Sequence, residues 1–285
     1  MPEKPRLQIL ISTKGNGIER IANLPHPQFP GVEYLVSWQL GNMDLIPEPL
    51  AERKDFRILI EDSVGLSKNR NNALKHSTAD WVLISDDDLC YTERNIRNIL
   101  EGFENNKDCS VLAFRYESSD YPRVYPAQEF NLRTPPKGYF SVSFEIGFNL
   151  SRLKEEMRLD VLPAFNENFG LGAIFNSGEE DLLIHNMMRH NLSGRFIPLD
   201  ICRHEGPTTG IKEKTFESFI QTKGAVMSHI KPFSWPLRMA VYALRASNDK
   251  DGTVPFMKYI AAFLAGVRKA RKLKVFDVPS FIELN

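Results

Sequence analysis

The strongest constraint in this sequence is a short apolar run, Trp81-Val82-Leu83-Ile84, that stops abruptly at Ser85-Asp86-Asp87-Asp88. A run this short and this apolar reads as a strand buried on both faces, the mark of a parallel sheet covered by helices. Three adjacent carboxylates repel one another and are costly to gather unless a cation or hydrogen-bond donors neutralise them. At the carboxyl end of a buried strand they face the crevice where open α/β sheets bind ligands. If the segment stays extended, the two-residue repeat points Asp86 and Asp88 the same way. Such a pair suits a hard divalent ion that also holds a diphosphate. A second reading fits the same residues: a helix N-cap with an acidic first turn ahead of Glu93.

The rest of the chain supplies the sheet. Apolar runs at 7–12, 34–38, 57–60, 110–114, 140–150 and 195–201 read as further strands. Helical stretches are expected at 67–76, with Ser67 as its cap, and at 93–103 and 179–191. Strands alternating with helices predict an α/β fold with a parallel or mostly parallel sheet flanked by helices. The stretch 117–138 has no clean period and reads as loop and edge structure. After residue 210 the character changes to helices at 216–230, 237–246 and 256–274. The expected division is therefore 1–210 for the α/β unit and 211–285 for a helical extension.

Composition removes several classes. The 285 residues suffice for one large α/β domain or two small ones. With 36 basic and 36 acidic side chains there is no excess charge for coating nucleic acid, so no nucleic-acid partner is expected. Balanced charge and 11% aromatic residues argue against disorder. Cys90, Cys109 and Cys202 are odd in number, far apart and without a CxxC spacing, so neither a disulfide framework nor structural zinc is expected. The apolar run near the start is too short for a signal peptide, and no stretch approaches the length of a spanning helix. The expected location is cytoplasmic.

Three other clusters carry candidate chemistry. Gly178-Glu179-Glu180-Asp181 opens a helical stretch, where a carboxylate near a crevice can act as general base or simply partner the helix dipole. His185 lies one turn beyond Asp181 and can share its face, as an orienting or a structural histidine. His204, just past a strand end in Arg203-His204-Glu205-Gly206, can offer an imidazole nitrogen to a metal or serve structure alone. Lys14-Gly15-Asn16-Gly17 lacks the third glycine of a dinucleotide fingerprint, and no GxxxxGK[ST] phosphate loop is present.

Taken in order, three blocks resemble the family 2 glycosyltransferases of the GT-A fold. The first is Gly65-Leu66-Ser67-Lys68-Asn69-Arg70-Asn71-Asn72-Ala73-Leu74. The second is Asp80-Trp81-Val82-Leu83-Ile84-Ser85-Asp86-Asp87-Asp88, similar to that family's strand ending in Asp-x-Asp. The third is Phe169-Gly170-Leu171-Gly172 followed by Gly178-Glu179-Glu180-Asp181. The resemblance covers about residues 6–206. It implies Mn²⁺ or Mg²⁺ on Asp88, with Asp86 at the ribose or the metal's waters and His204 as a further ligand. It also implies a nucleotide-diphosphate-sugar donor, UDP-sugar favoured, beside Ser12, Thr13, Lys14, Arg70, Asn71 and Asp87. Asp181, with Glu180 as neighbour, would deprotonate an acceptor hydroxyl in a single inverting displacement. Cell-surface polysaccharide or glycolipid synthesis, on a glycan or lipid-linked acceptor, is the implied setting.

Two departures concern the nucleotide. The second strand ends in Ser37-Trp38-Gln39, where relatives carry a base-contacting aspartate, so Gln39 or Asp62 is the expected substitute. The family's Pro-Thr-Tyr-like turn is replaced by Ser12-Thr13-Lys14-Gly15. Acceptor choice is assigned to the region around 121–140. The segment 256–274 ends in Arg268, Lys269, Arg271, Lys272 and Lys274, which suits a peripheral membrane helix, a packed helix with a solvated end, or a homodimer contact. Two other functions keep the same fold: a non-catalytic nucleotide-sugar or glycan-binding relative, and a nucleotidyltransferase, against which the absent glycine-rich activating loop counts.

Overall fold

A computed structural model describes residues 4–120, 122–204, 215–248 and 254–284. The expected boundary near residue 210, together with Glu205, Gly206 and Tyr121, lies outside them. The first half reads β1 (Leu7–Lys14), α1 (Gly17–Asn23), β2 (Val32–Gln39), α2 (Glu48–Ala51), β3 (Phe56–Glu61), α3 (Leu66–Lys75) and β4 (Trp81–Asp86). Then come β5 (Leu89–Cys90), α4 (Glu93–Asn105), β6 (Val111–Glu117), β7 (Phe130–Asn131), β8 (Ile146–Asn149), α5 (Leu150–Met157) and β9 (Val161–Pro163). The remainder is α6 (Glu179–Arg189), β10 (Gly194–His204), α7 (Phe216–Ile230), α8 (Trp235–Ser247), α9 (Phe256–Lys272) and β11 (Phe281–Glu283).

The main sheet runs β3-β2-β1-β4-β8-β6-β10-β5, with β7 on β10. Its first four strands are parallel, as the apolar runs predict. Alternate side chains serve the two faces. Leu7, Ile9, Ile11 and Leu83 pack with Ile18, Ile96 and Phe103 on one side. Leu10, Val82 and Ile84 pack with Leu74, Leu153, Leu183 and Met187 on the other. Burial of both faces is what removes the polar alternation from these strands.

Two sequence expectations change. The run 140–150 supplies only β8, antiparallel between β4 and β6. Ahead of it a 3₁₀ turn at Ser143–Glu145 breaks the strand, because the buried Glu145 carboxylate accepts from Val142 N and pairs with Arg123. Ser67 is not the cap of α3. Gly65 holds that position at φ 130°, and the Ser67 hydroxyl donates to Phe169 O at 2.6 Å.

The C-terminal helices pack on the sheet unit and on one another. α7 and α9 cross with their backbones almost touching. A Cβ on Gly224 would lie 2.2 Å from Phe263 O, and one on Gly266 would lie 1.9 Å from Gln221 O. The apolar residues of α9, Tyr259, Phe263 and Val267, are buried with Ile220 and Ala243. Of the readings of 256–274, the packed helix with a solvated basic end matches this burial. Exposed apolar side chains include Met257 at the start of α9, 71%, and, outside that helix, Phe233 99%, Leu237 72% and Leu244 53%. Beyond α9 the chain returns: β11 pairs antiparallel with β9, and the Asn166 and Asn168 amides both donate to Val275 O, at 2.8 and 3.1 Å. Among the described residues no helix is long and apolar enough to cross a membrane.

Candidate active site

β1 and β4 end side by side, with Ser12 in register with Asp86. Their carboxyl ends, the start of α3 and the loop at Leu171 and Gly172 enclose a cavity of about 400 Å³. Ser12, Thr13, Lys14, Gln39, Asp86, Asp87 and Asp88 all line it. Ser12 Oγ and Asn69 Oδ1 are buried there without a hydrogen-bond partner among the described residues. An unsatisfied buried polar atom costs stability, so a pair of them on one cavity wall is suited to an incoming polar ligand.

The triple aspartate divides into three roles. Asp87 is clamped: Thr13 Oγ1 donates to it at 2.5 Å and Arg20 pairs with it at 2.6 Å. Burial nevertheless pushes its carboxyl up to about 6, against the pull of Thr13 and Arg20. This clamp explains the glycine loop. A Cβ on Gly17 would lie 2.2 Å from both Asp87 Oδ2 and Thr13 Oγ1. The glycine makes room for the clamp, not for a dinucleotide.

Asp86 reaches the cavity but has one oxygen held by Arg70 at 2.9 Å. Asp88 faces His204 Nε2 at 3.3 Å. His204 arrives from far along the chain because β10 pairs with β5, setting His204 opposite Leu89. A hydrogen bond donated to the Asp88 carboxylate raises the imidazole pKa. A carboxylate and an imidazole facing each other are donors of the kinds that can bind a divalent ion. No group of three His, Cys, Asp or Glu among the described residues is arranged to hold a metal.

Helix α3 joins the three sequence blocks. Arg70, 2% exposed, donates to Asp86 and, at 3.1 Å, to Glu179 Oε1. Asn69 donates to Thr13 O at 2.9 Å, and Leu66 N to Leu171 O at 2.9 Å. Arg70, expected at the nucleotide, is thus a buried brace outside the cavity lining. Asn71 turns away from that cavity, donating to Phe165 O and accepting from Phe165 N. Gln39 lines the cavity but spends both ends of its amide on the backbone of Gly65, at 3.1 and 3.3 Å. Asp62 is exposed beyond β3 and does not line the cavity.

The Glu-Asp block opens α6 behind Gly178, whose φ of 93° requires glycine. Glu179 is buried on Arg70, whereas Glu180 and Asp181 line a second cavity, of about 490 Å³. Burial, then the neighbouring Glu179, raises the Glu180 carboxyl. Leu132, Arg133, Tyr139 and Phe140, from the region read as acceptor-determining, form the opposite wall. Sequence reasoning missed Arg20, Asn69 and Glu179. Asn69 and Glu179 sit inside the matched blocks, but nothing local distinguishes their contacts; Arg20 carries no motif at all.

Residues 41–158 match the family model described as glycosyl transferase family 2. That span runs from the segment before α2 to the end of α5 and contains the first two sequence blocks, 65–74 and 80–88. Solved structures agree on the fold. Staphylococcus aureus TarS 1–349 is 12% identical, with 95% of this chain and 73% of that one covered at a TM-score of 0.53. TarS 1–349 in complex with UDP-GlcNAc is 13% identical, with 92% and 81% covered at 0.54. Against a further S. aureus TarS structure, identity is 15%, and 91% of this chain and 43% of that one are covered, at 0.53. At such identities the likeness establishes the GT-A glycosyltransferase fold. No curated protein matches the sequence significantly.

Proposed function

We propose that this glycosyltransferase moves a sugar from a nucleoside-diphosphate donor to an acceptor hydroxyl, with inversion at the anomeric carbon. The observation that carries the reading is Arg70, which ties the donor-side Asp86 to Glu179 at the head of the acceptor-side helix. Two chemically distinct cavities are thereby held by one buried cation. A UDP-sugar is the favoured donor, supported by the likeness to TarS, which was solved with UDP-GlcNAc. Ser12, Thr13 and Asn69 then bind and orient the nucleotide, and the clamped Asp87 fixes the loop around it. Asp88 and His204 would hold Mn²⁺ or Mg²⁺, with Asp86 beside them. When bound, the ion supplies Lewis-acid stabilisation of charge building on the leaving diphosphate. Asp181 takes the proton of the acceptor hydroxyl, which lies against the wall formed by Tyr139 and Phe140. Glu180, its proton held more tightly, spares the cluster a further full negative charge.

The test is single-turnover transfer from a panel of UDP-, GDP- and dTDP-sugars. Asp181→Asn should lower the rate by about 10²–10⁴-fold, the range for a lost general base, with the unfolding midpoint little changed. Asp88→Asn should abolish the response to added Mn²⁺. Full activity in both variants would overturn the assignment. Saturable donor binding without transfer would identify a non-catalytic relative, and preference for a nucleoside triphosphate would identify a nucleotidyltransferase.

The catalytic unit is assigned to 1–210 and the helical extension to 211–285, acting at the cytoplasmic face of the membrane in polysaccharide or glycolipid synthesis. The extension is basic: residues 211–285 hold thirteen Lys or Arg and six Asp or Glu. With the apolar face of α9 buried, peripheral contact falls to Phe233, Leu237 and Leu244 beside that charge. Co-sedimentation should show binding to phosphatidylglycerol vesicles and not to phosphatidylcholine. Phe233→Ser with Leu237→Ser should weaken it about tenfold or more, since each removes an exposed side chain worth about 1.5–3 kcal/mol on burial. A homodimer that dissociates in the same variant would instead mark the patch as a subunit contact.

A further inference from the structure

The acceptor-side cavity has a second, cationic pole. Asp181 and His185 stand four residues apart on α6, and Arg189 another four beyond, so the three share one face at roughly 6 Å intervals along the axis. All three line the cavity, and Lys231, immediately after α7, joins them. His185 Nε2 is buried there with no hydrogen-bond partner among the described residues. His229 meets the His185 ring edge-on at 5.8 Å and is itself stacked on Phe276 at 4.0 Å. Neither the Arg189 guanidinium nor the Lys231 ammonium has an ion-pair or hydrogen-bond partner among the described residues. Arg133 on the opposite wall is occupied, donating to Asn191 Oδ1 at 2.8 Å and Leu192 O at 3.1 Å.

Two unpaired cations beside an unsatisfied imidazole repel one another and gain most from an anion. Desolvation, then His229, Arg189 and Lys231, lower the His185 pKa to about 4. The ring is therefore neutral at pH 7 and keeps one N–H to donate. We propose that the acceptor carries an oxyanion, phosphate or carboxylate, held by His185, Arg189 and Lys231 roughly 6–12 Å along α6 from the hydroxyl presented to Asp181. The proposal rests on the reading that this cavity takes the acceptor. The cations would select against a neutral glycan, and Phe140 and Met188 offer apolar surface to the sugar between the two poles.

The experiment titrates the full chain at constant ionic strength with inorganic phosphate, methyl glucuronide and methyl glucoside. Two readouts are followed, the unfolding midpoint and the His185 imidazole NMR shift against pH. Phosphate or methyl glucuronide should raise the His185 pKa by about one unit and raise the midpoint, while methyl glucoside does neither. The stronger of the two anions identifies the acceptor group. Arg189→Gln with Lys231→Gln should abolish the response. Equal responses to the glucuronide and the glucoside, an anion response that survives the double substitution, or no response at all would overturn the proposal. Asp181→Asn separates this from the function itself, because it should remove transfer and leave anion binding in place. Absence of transfer with every donor, alongside anion binding confined to this cavity, would remove the transferase reading and keep the site.

Discussion

Replacing Arg70 by alanine should destabilise the protein by about 3–5 kcal/mol, the range for removing one partner of a buried ion pair. The guanidinium is 2% exposed and neutralises Asp86 and Glu179, whose side chains are 27% and 5% exposed. Asp86 can regain some water, so Glu179 should account for most of the loss. Lysine at the same place should recover only part of it, because a point charge cannot donate in two directions as a fork does. The sign of the pH dependence follows. Burial already raises the Asp86 carboxyl, and Arg70 is the main group opposing that rise. Without Arg70 the folded state binds protons that the unfolded chain has released. The variant should therefore be least destabilised at the low end of the carboxylate range and lose stability as pH rises through the raised folded value. Urea unfolding of both proteins at pH 5 and pH 8 reads this directly. A gap that is the same at both pH values would show that Arg70 contributes by packing alone, as its place over the Phe165 ring would allow.

The second large effect is expected where α7 crosses α9. Gly266→Ala places a methyl group 1.9 Å from Gln221 O, and Gly224→Ala places one 2.2 Å from Phe263 O. Backbone oxygens cannot rotate aside, so the helices must separate and forfeit contacts along their length. Alanine recovers up to about 1 kcal/mol of helix propensity, against a steric penalty at or above the usual 1–3. With the penalty at the top of that range, the net loss should be about 2 kcal/mol for either substitution. The two should be far from additive, since the first to part the helices relieves the second. Thermal unfolding of the single and double variants tests this. Additive losses would mean that the helices do not move as a unit.

These two sites show how unevenly the sequence discloses the molecule. β1 and β4 could be read because strands buried on both faces are bare apolar runs, and the aspartates announce the crevice because carboxylates are not gathered without cause. Arg70 was visible as part of a block, but its role was not, since its partners lie 16 and 109 residues away. Asn71 misled for a similar reason: a polar side chain next to a motif looks directed at ligand, yet it fastens Phe165 from both ends of its amide. Asp62 was assigned by chemistry alone, and the geometry leaves it at the surface. Gly224 and Gly266 carry no local signal, because their need for a missing side chain comes from another helix. The strand expected at 140–150 broke where Glu145 turned inward, and a three-residue strand such as β11 is too short for any period to register.

The pairing of β11 with β9 sets an order of events in the making of the protein. The loop that leads into Glu180 and Asp181 is anchored through Asn166 and Asn168 to Val275, more than a hundred residues later. Contacts of such separation form late, after the entropy of a long closure has been met. During synthesis the donor half can assemble around β1 to β4 from contiguous sequence. The loop at 166–172, which brings Leu171 and Gly172 to the first cavity, can be fastened only after residue 275 has emerged. A nascent chain thus completes its first four strands well before the loop that closes the cavity at their ends is pinned in place.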